Sequence, residues 1–509
     1  MSETDAGARR RPNLLLLMTD QQRADTVEPG GPCLTPHLQA LAADGVRFDR
    51  CYATNPICSP SRASLYTGLL PHAHGMTDVT HAVDVTQADL RPDLPFWSRT
   101  LREAGYRTGH FGKWHVERSD DLARFGFDEH EVDLRLTGVA SYDGPLSPRV
   151  AVRQEGYREF LLAGVHDGPA AETREGELFD RGIAFVREAA REPDRPWALV
   201  VSTEAPHDPY VVPRELYRRY DPETLRPPTS AADDLADRPA IYRRIRRTWD
   251  GLSADDAAQA TACYYAACSG IDDHVGRILA ALRDTGQEER TLVVFTSDHG
   301  DYLGAHGLWL KGVPAFEEAY RVPMLLRGPG VPRGLRIDDP VSLLDLPRTL
   351  VRLLLGRDFG GQGGDLTGRF GAADPGEGGA DGVAEDAPTA NEPALRPGEA
   401  YAEFHGQRLR YTQRIVWRGR HKYVFNGFAD DELYDLEADP HELRNLAAEP
   451  ATQSVARALA NRMWQVARAT GDRTLAEAEY GMFRFAPVGP AGCDDDDAVV
   501  PDGAAKATP

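Results

Sequence analysis

The 509-residue chain is short of three things: long apolar runs, cysteine and positive charge. Its longest early hydrophobic run, Leu14 to Met18, is far shorter than the ~20 residues a membrane-spanning helix needs. Arg9, Arg10 and Arg11 precede that run like the basic end of a secretory leader. The apolar stretch is too short for a leader core, and Thr19-Asp20-Gln21-Gln22 follows at once. The expectation is a cytoplasmic protein that neither spans nor binds a membrane. Six cysteines (33, 51, 58, 263, 268 and 493) are too few for a disulfide framework at this length, and the absence of any Cys-x-x-Cys pair argues against a structural zinc site. Lys and Arg total 58 against 79 Asp and Glu, a formal charge of −21. An acidic balance excludes a sequence-independent grip on nucleic acid. It does not exclude a small anionic substrate, because a site can be locally basic, and it leaves room for a homo-oligomer.

What the chain does contain is the pattern of a globular α/β protein. Asn13–Met18, Trp197–Thr203 and Thr291–Ser297 are almost continuously apolar, as strands buried on both faces must be. Thr35–Asp44 reads as a short helix with a capping Thr, the stretch ending at Ala104 as another, and Tyr106–Phe111 as the strand after it. Ile271, Val275, Ile278, Leu279 and Leu282 give 254–284 helical periodicity. Alternating strand and helix predict a large, mostly parallel sheet flanked by helices, with its site beyond the carboxyl ends of the strands. The Gly- and Pro-rich stretch 357–400 reads as a flexible connection. Four short strand candidates (401–404, 413–417, 422–425 and 433–436) and a helix near 451–469 then predict a smaller C-terminal antiparallel sheet plus helix. The expected divisions are a flexible terminus 1–12, a catalytic α/β domain 13–356, the connection 357–400, an α+β subdomain 401–485 and a disordered acidic tail 486–509.

The segment richest in chemistry is Cys58-Ser59-Pro60-Ser61-Arg62-Ala63-Ser64-Leu65-Tyr66-Thr67-Gly68. Pro60 suits the first turn of a helix, which places Cys58 at a helix N-terminus with Arg62 one turn on. The segment resembles the signature of the sulfatase family, where Cys-x-Pro-x-Arg directs oxidation of the cysteine to formylglycine. Leu17–Gln21 and Thr296–Gly300 resemble the family's two metal-binding strand ends, Phe111–His115 the segment that supplies a lysine and a histidine to the nucleophile, and Ala205–Pro209 and Gly307–Lys311 those that hold the sulfate. Glu432–Leu446 looks like the family's C-terminal motif. On its own, either strand-end aspartate could instead cap a following helix.

The resemblance implies an alkaline-phosphatase-like fold and a sulfuric ester hydrolase. Its catalytic residues would be Cys58, Arg62, Lys113, His115, His207 and Lys311. Asp20, Gln21, Cys58, Asp298 and His299 would hold one divalent metal, most simply Ca²⁺, with Mg²⁺ or Mn²⁺ as alternatives. Arg62, Lys113 and Lys311 would offset charge on the sulfuryl oxygens. His207 or Lys311 would protonate the leaving alcohol, and His115 would act as base. The implied partners are a small sulfated substrate, with a carbohydrate sulfate first, and a formylglycine-generating enzyme. Choline or aryl sulfates, phosphonate monoesters and phosphodiesters are the rival substrates. Tyr142, Asp208–Tyr210 and His405 are expected near the pocket without a readable code.

Overall fold

The computed structural model describes residues 10–81, 89–91, 93–132, 144–371, 394–476 and 486–490. Tyr142, Cys493 and most of the expected N-terminal, connecting and tail segments lie outside them. The main sheet holds β1 (Asn13–Thr19), β2 (Val46–Tyr52), β3 (Arg107–Gly112), β4 (Glu129–Val132), β7 (Trp197–Ser202), β9 (Thr291–Ser297), β10 (Arg321–Arg327), β11 (Leu335–Ile337) and β12 (Val341–Ser342). Its order is β11-β2-β10-β9-β1-β7-β3-β4, with β12 also paired to β2. All neighbours are parallel except β10, which runs antiparallel to both β2 and β9.

β1 is central because it is apolar on both faces. Leu14, Leu16 and Met18 enter one core cluster, and Leu15 and Leu17 enter the other. The second cluster is closed by the long helix Ala254–Asp284 and the helix Arg174–Ala189. Register then fixes the site. Met18 lies opposite both Ser202 and Thr296, and Gly112 lies opposite Ser202. The next residues, Asp20, Lys113 and Asp298, therefore emerge together at one edge.

A small sheet of β5 (Arg149–Val152), β6 (Phe160–His166) and β8 (Tyr210–Pro213) was not foreseen. It anchors the far end of the loop that carries His207. The C-terminal sheet is β13 (Glu399–Gly406), β14 (Arg410–Arg418), β15 (His421–Asn426) and β16 (Glu432–Asp435), antiparallel throughout. One face packs on the helix Gln453–Thr470. The other shares a core with the large domain, where Trp417 stacks on Tyr52 at 4.3 Å.

One local expectation needs correction. Thr35 precedes the helix Pro36–Ala43, but its hydroxyl bonds Thr26 O at 3.0 Å. The free helix amides of His37 and Leu38 go instead to the Asp272 carboxylate, at 3.1 and 2.8 Å. The connection expected to be free from 357 is docked as far as it is described. Leu366 is buried in the main core, and the Gln362 side chain accepts from Leu70 N at 2.7 Å. Of the tail, Ala486 is buried against the C-terminal helix cluster, and Val488 O accepts from Trp464 Nε1 at 2.7 Å.

Candidate active site

Cys58 is the first residue of the helix Cys58–Thr67. Pro60 falls in its first turn, where a missing N–H is harmless. Gly68 ends the helix in the left-handed conformation at φ +70. The thiol is buried and points at the strand ends: Sγ lies 3.2 Å from His299 Nε2 and 3.6 Å from Asp20 Oδ1.

Arg62, one turn along, is fully buried beneath this floor. Its Nε donates to Asp298 Oδ2 at 2.6 Å and one terminal nitrogen to Asp20 Oδ2 at 3.1 Å. The other donates to Lys113 O and Ser202 Oγ, both at 2.9 Å. Four of its five N–H groups are thereby engaged within the protein. Arg62 clamps the two carboxylates from below.

The clamp sorts the carboxylate oxygens. Each Oδ2 takes Arg62, and each Oδ1 faces the thiol and imidazole. Asp20 Oδ1 is 3.6 Å and Asp298 Oδ1 3.8 Å from His299 Nε2. Ligand atoms of Asp20, Cys58, Asp298 and His299 all lie within 4.8 Å of one another. His299 Nδ1 meets Gly300 O at 2.9 Å, which leaves Nε2 free as a ligand. Burial first of all lowers the proton affinity of this ring, so it stays neutral as a ligand must. Two carboxylates, a neutral imidazole and an oxygen on the Cys58 carbon suit a hard to borderline divalent cation. Gln21 stands apart from this group. Its amide oxygen accepts from Lys311 Nζ and its Nε2 donates to Asp301 Oδ2 at 2.5 Å, so the side chain is spent beside the cluster. Its backbone N–H does contribute, donating to Asp298 Oδ1 at 3.1 Å with Gln21 at φ +68. Neither aspartate caps a helix: the short turn after Asp20 begins at Ala24 behind Arg23, and the next one after Asp298 begins only at Ala305.

Four further predicted residues ring the thiol. Lys113 Nζ pairs with Asp20 Oδ2 at 2.9 Å. Burial opposes charge on both, but the pairing wins: Lys113 is held above its usual value, and Asp20, helped by His207, Arg62 and His299, well below. His207 Nε2 is 2.5 Å from Lys311 Nζ, and its Nδ1 meets Asp208 O at 2.6 Å. Burial disfavours the charged ring of His207, yet the carboxylates of Asp208 and Asp20 outweigh it and raise the pKa. His115, at φ +51, is the opposite case. Burial, then Lys113 and His81, push it well below the usual histidine value, so it is neutral.

Three participants were missed. His81 Nδ1 lies 3.0 Å from His115 Nε2, and the rings stack at 5.1 Å. Asp301 gathers Tyr210 Oη and Gln21 Nε2, both at 2.5 Å, with Leu303 N and Leu310 N, and so ties the Lys311 loop to the metal side. Glu204 accepts from Arg174 at 2.5 Å and faces Lys113 at 4.0 Å. Asp301 follows the Asp298-His299-Gly300 run directly, a signal that could have been read; nothing in the sequence marks the other two. The neighbouring histidines have structural partners: His72 with Glu403, His74 with Ser64 and His306 with Asp233. Glu117 binds Arg124, and His405 binds Glu403.

A buried nucleophile at a helix start, facing two strand-end aspartates and a neutral histidine at the carboxyl edge of a mostly parallel sheet, defines a metal-assisted hydrolase. Comparison with known proteins narrows that class. The sulfatase family model matches residues 12–356, and the chain belongs to the sulfatase family: it is a sulfuric ester hydrolase of the alkaline phosphatase superfamily. It is 32% identical to a choline-sulfatase of Rhizobium meliloti (strain 1021) over 466 residues, covering 86% of this chain and 83% of the relative. Among solved structures, the phosphonate monoester hydrolase of Agrobacterium radiobacter superimposes with a TM-score of 0.71 at 23% identity, covering 90% and 96% of the two chains. BT4656 in complex with its substrate D-glucosamine-2-N,6-O-disulfate gives 0.68 at 20%, covering 91% and 98%. At those identities the two structures establish the fold. Among the described residues no helix is long and apolar enough to cross a membrane.

Proposed function

We propose that this chain hydrolyses a carbohydrate sulfate ester to the alcohol and inorganic sulfate, using a formylglycine made from Cys58 and one divalent cation. The observation that carries the reading is the position of Cys58, whose side chain faces the Oδ1 edge of Asp20 and the free Nε2 of His299 at 3.6 and 3.2 Å. A cation held by Asp20, Asp298, His299 and the oxidised Cys58 would supply positive charge for the sulfuryl oxygens, Ca²⁺ being the simplest choice for this oxygen-rich set. Hydration of the aldehyde would give two hydroxyls on one carbon, one to attack sulfur and one whose deprotonation releases sulfate.

The chain's own residues divide the proton work. His207, raised in pKa by the Asp208 and Asp20 carboxylates, keeps a proton available at neutral pH for the leaving oxygen. His115 is neutral and its Nδ1 has no hydrogen-bond partner among the described residues, so it can take a proton. Lys113 and Lys311 lie on either side of the nucleophile as fixed positive charges. Arg62 holds Asp20 and Asp298 in register from below.

Maturation would require a formylglycine-generating enzyme as partner. The test is mass spectrometry of the tryptic peptide Cys51–Arg62 from a host that has that enzyme, paired with kinetics on an aryl sulfate and an aryl phosphonate. Unmodified Cys58 in a fully active preparation would refute the formylglycine route. A kcat/KM much higher on the phosphonate would overturn sulfate as the preferred substrate.

A further inference from the structure

The hairpin between β13 and β14 reaches over the site. Its tip is Gly406-Gln407-Arg408-Leu409, tightly folded: Gly406 has φ +108, and a Cβ there would lie 1.8 Å from Leu409 O. One hydrogen bond tethers the tip, and one close approach lies on its other side. Arg408 N donates to Asp78 Oδ2 at 2.8 Å, and Asp78 is three residues ahead of His81, the partner of His115. On the other flank, Gln407 Oε1 is 3.6 Å from where a Cβ on Gly312 would sit, and Gly312 follows Lys311. The tip therefore bridges the histidine side and the lysine side of the catalytic floor.

The cations below the tip are already engaged, Lys113 by Asp20 and Lys311 by Gln21, His207 and Asp208. Arg408 differs. It is exposed, sits at φ +64, and its guanidinium makes no hydrogen bond or ion pair among the described residues. Asp78 feels the Arg408 charge but does not bond its guanidinium: the two Asp78 oxygens accept from the backbone N–H groups of Val79 and Arg408. Its charge is nonetheless felt in the site: after burial and Lys113, Arg408 is the next cause that lowers the pKa of His81. An exposed guanidinium at the mouth of a site, bonded to no carboxylate among the described residues, is available to a ligand.

We propose that Arg408 is a specificity residue that binds a second anionic group, a carboxylate or another sulfate, on the alcohol part of the substrate. This rests on the sulfatase reading above and deepens it. The substrate class becomes sulfate esters of acidic or multiply sulfated saccharides, and the cationic ester choline sulfate is disfavoured. A planar guanidinium can grip either anion through two parallel N–H groups.

The test compares the full-length enzyme with Arg408→Ala and Arg408→Glu. The substrates are N-acetylglucosamine 6-sulfate, glucosamine 2-N,6-O-disulfate, choline sulfate and 4-nitrophenyl sulfate. The parent should prefer the disulfate. Arg408→Ala should lose at least tenfold in kcat/KM on the disulfate, mostly through KM, while staying within twofold on 4-nitrophenyl sulfate. Arg408→Glu should lose more on the disulfate and gain on choline sulfate. Equal losses on all four substrates, or no loss on the disulfate, would overturn the proposal. If the parent cleaves phosphonate monoesters and no sulfate, the sulfatase reading has failed. Arg408 is then judged on a phenyl phosphonate ester with and without a ring carboxylate, by the same criterion.

Discussion

Replacing Arg62 separates two roles for its guanidinium, clamping carboxylates or gripping sulfate. Arg62→Met keeps the bulk and removes the donors that reach Asp298 at 2.6 Å and Asp20 at 3.1 Å. Breaking a buried pair by removing one partner costs about 3–5 kcal/mol, because the remaining charge stays buried without compensation. Unfolding entropy near 2.1 cal/mol/K per residue gives about 1.1 kcal/mol/K for 509 residues. The expected fall in Tm is therefore about 3–5 °C. It should be seen by scanning fluorimetry in EDTA. Millimolar Ca²⁺ should recover more Tm in Arg62→Met than it adds to the parent, because a cation held by Asp20 and Asp298 takes over the charge that Arg62 left. Arg62→Lys keeps a charge but cannot fork between the two carboxylates, so it should retain part of the Tm and still lose turnover. A variant that melts within about 1 °C of the parent but shows a raised KM for an aryl sulfate would refute the clamp and restore Arg62 to the substrate.

Gly112→Ala should cut turnover about a hundredfold without unfolding the protein. Its Cβ would lie 2.0 Å from Ser202 O at a position with φ +102, and the strand shift moves Lys113, whose N–H bonds that same oxygen at 2.8 Å. Near-UV circular dichroism beside kcat on an aryl sulfate checks this; unchanged kcat would show that the strand end yields freely. His110 is fully buried, neither ring nitrogen has a hydrogen-bond partner among the described residues, and burial, then Arg62, lower its pKa to about 3. The unfolded ring binds a proton near 6.5, so stability is full above pH 6.5 and is lost as pH falls toward 3, by about 1.4 kcal/mol at pH 5.5. His110→Leu should flatten that part of the slope in urea titrations between pH 7 and 5, and an unchanged slope would mean the ring protonates in place. Trp417→Ala, which removes the stack on Tyr52 and the bond to Glu317 at 2.8 Å, should cost about 3–5 kcal/mol. It should also expose sites on both sides of the sheet contact together in limited proteolysis; cleavage confined to the C-terminal sheet would show that the two parts unfold separately.

The sequence discloses what is written locally and hides what depends on distant partners. β1, β7 and β9 could be read because burial on both faces demands an unbroken apolar run. The nucleophile and strand-end aspartates could be read because each lies one step from such an element. β10 could not be foreseen as antiparallel, since Arg321–Arg327 is as apolar inside as its parallel neighbours. The short strands of the third sheet carry too little pattern to stand out. His81 reaches the site only because the chain returns to His115 after 34 residues, and Arg62 grips two carboxylates only because two strand ends 278 residues apart meet above it.

In the described part of the stretch after Arg357, glycine composition hides close packing. The run after Arg357 looks like a flexible connection, yet a Cβ at Gly363 would lie 2.0 Å from Leu344 O and one at Gly361 2.8 Å from Gly68 O. These glycines let backbone pack on backbone at the end of the signature helix rather than loosen the chain. That docking also closes the foot of the helix that begins at Cys58, because Gln362 N donates to Gly68 O at 2.8 Å. A glycine needed for freedom and one needed for close approach are the same letter, and only the oxygen 2 Å from the missing carbon tells them apart.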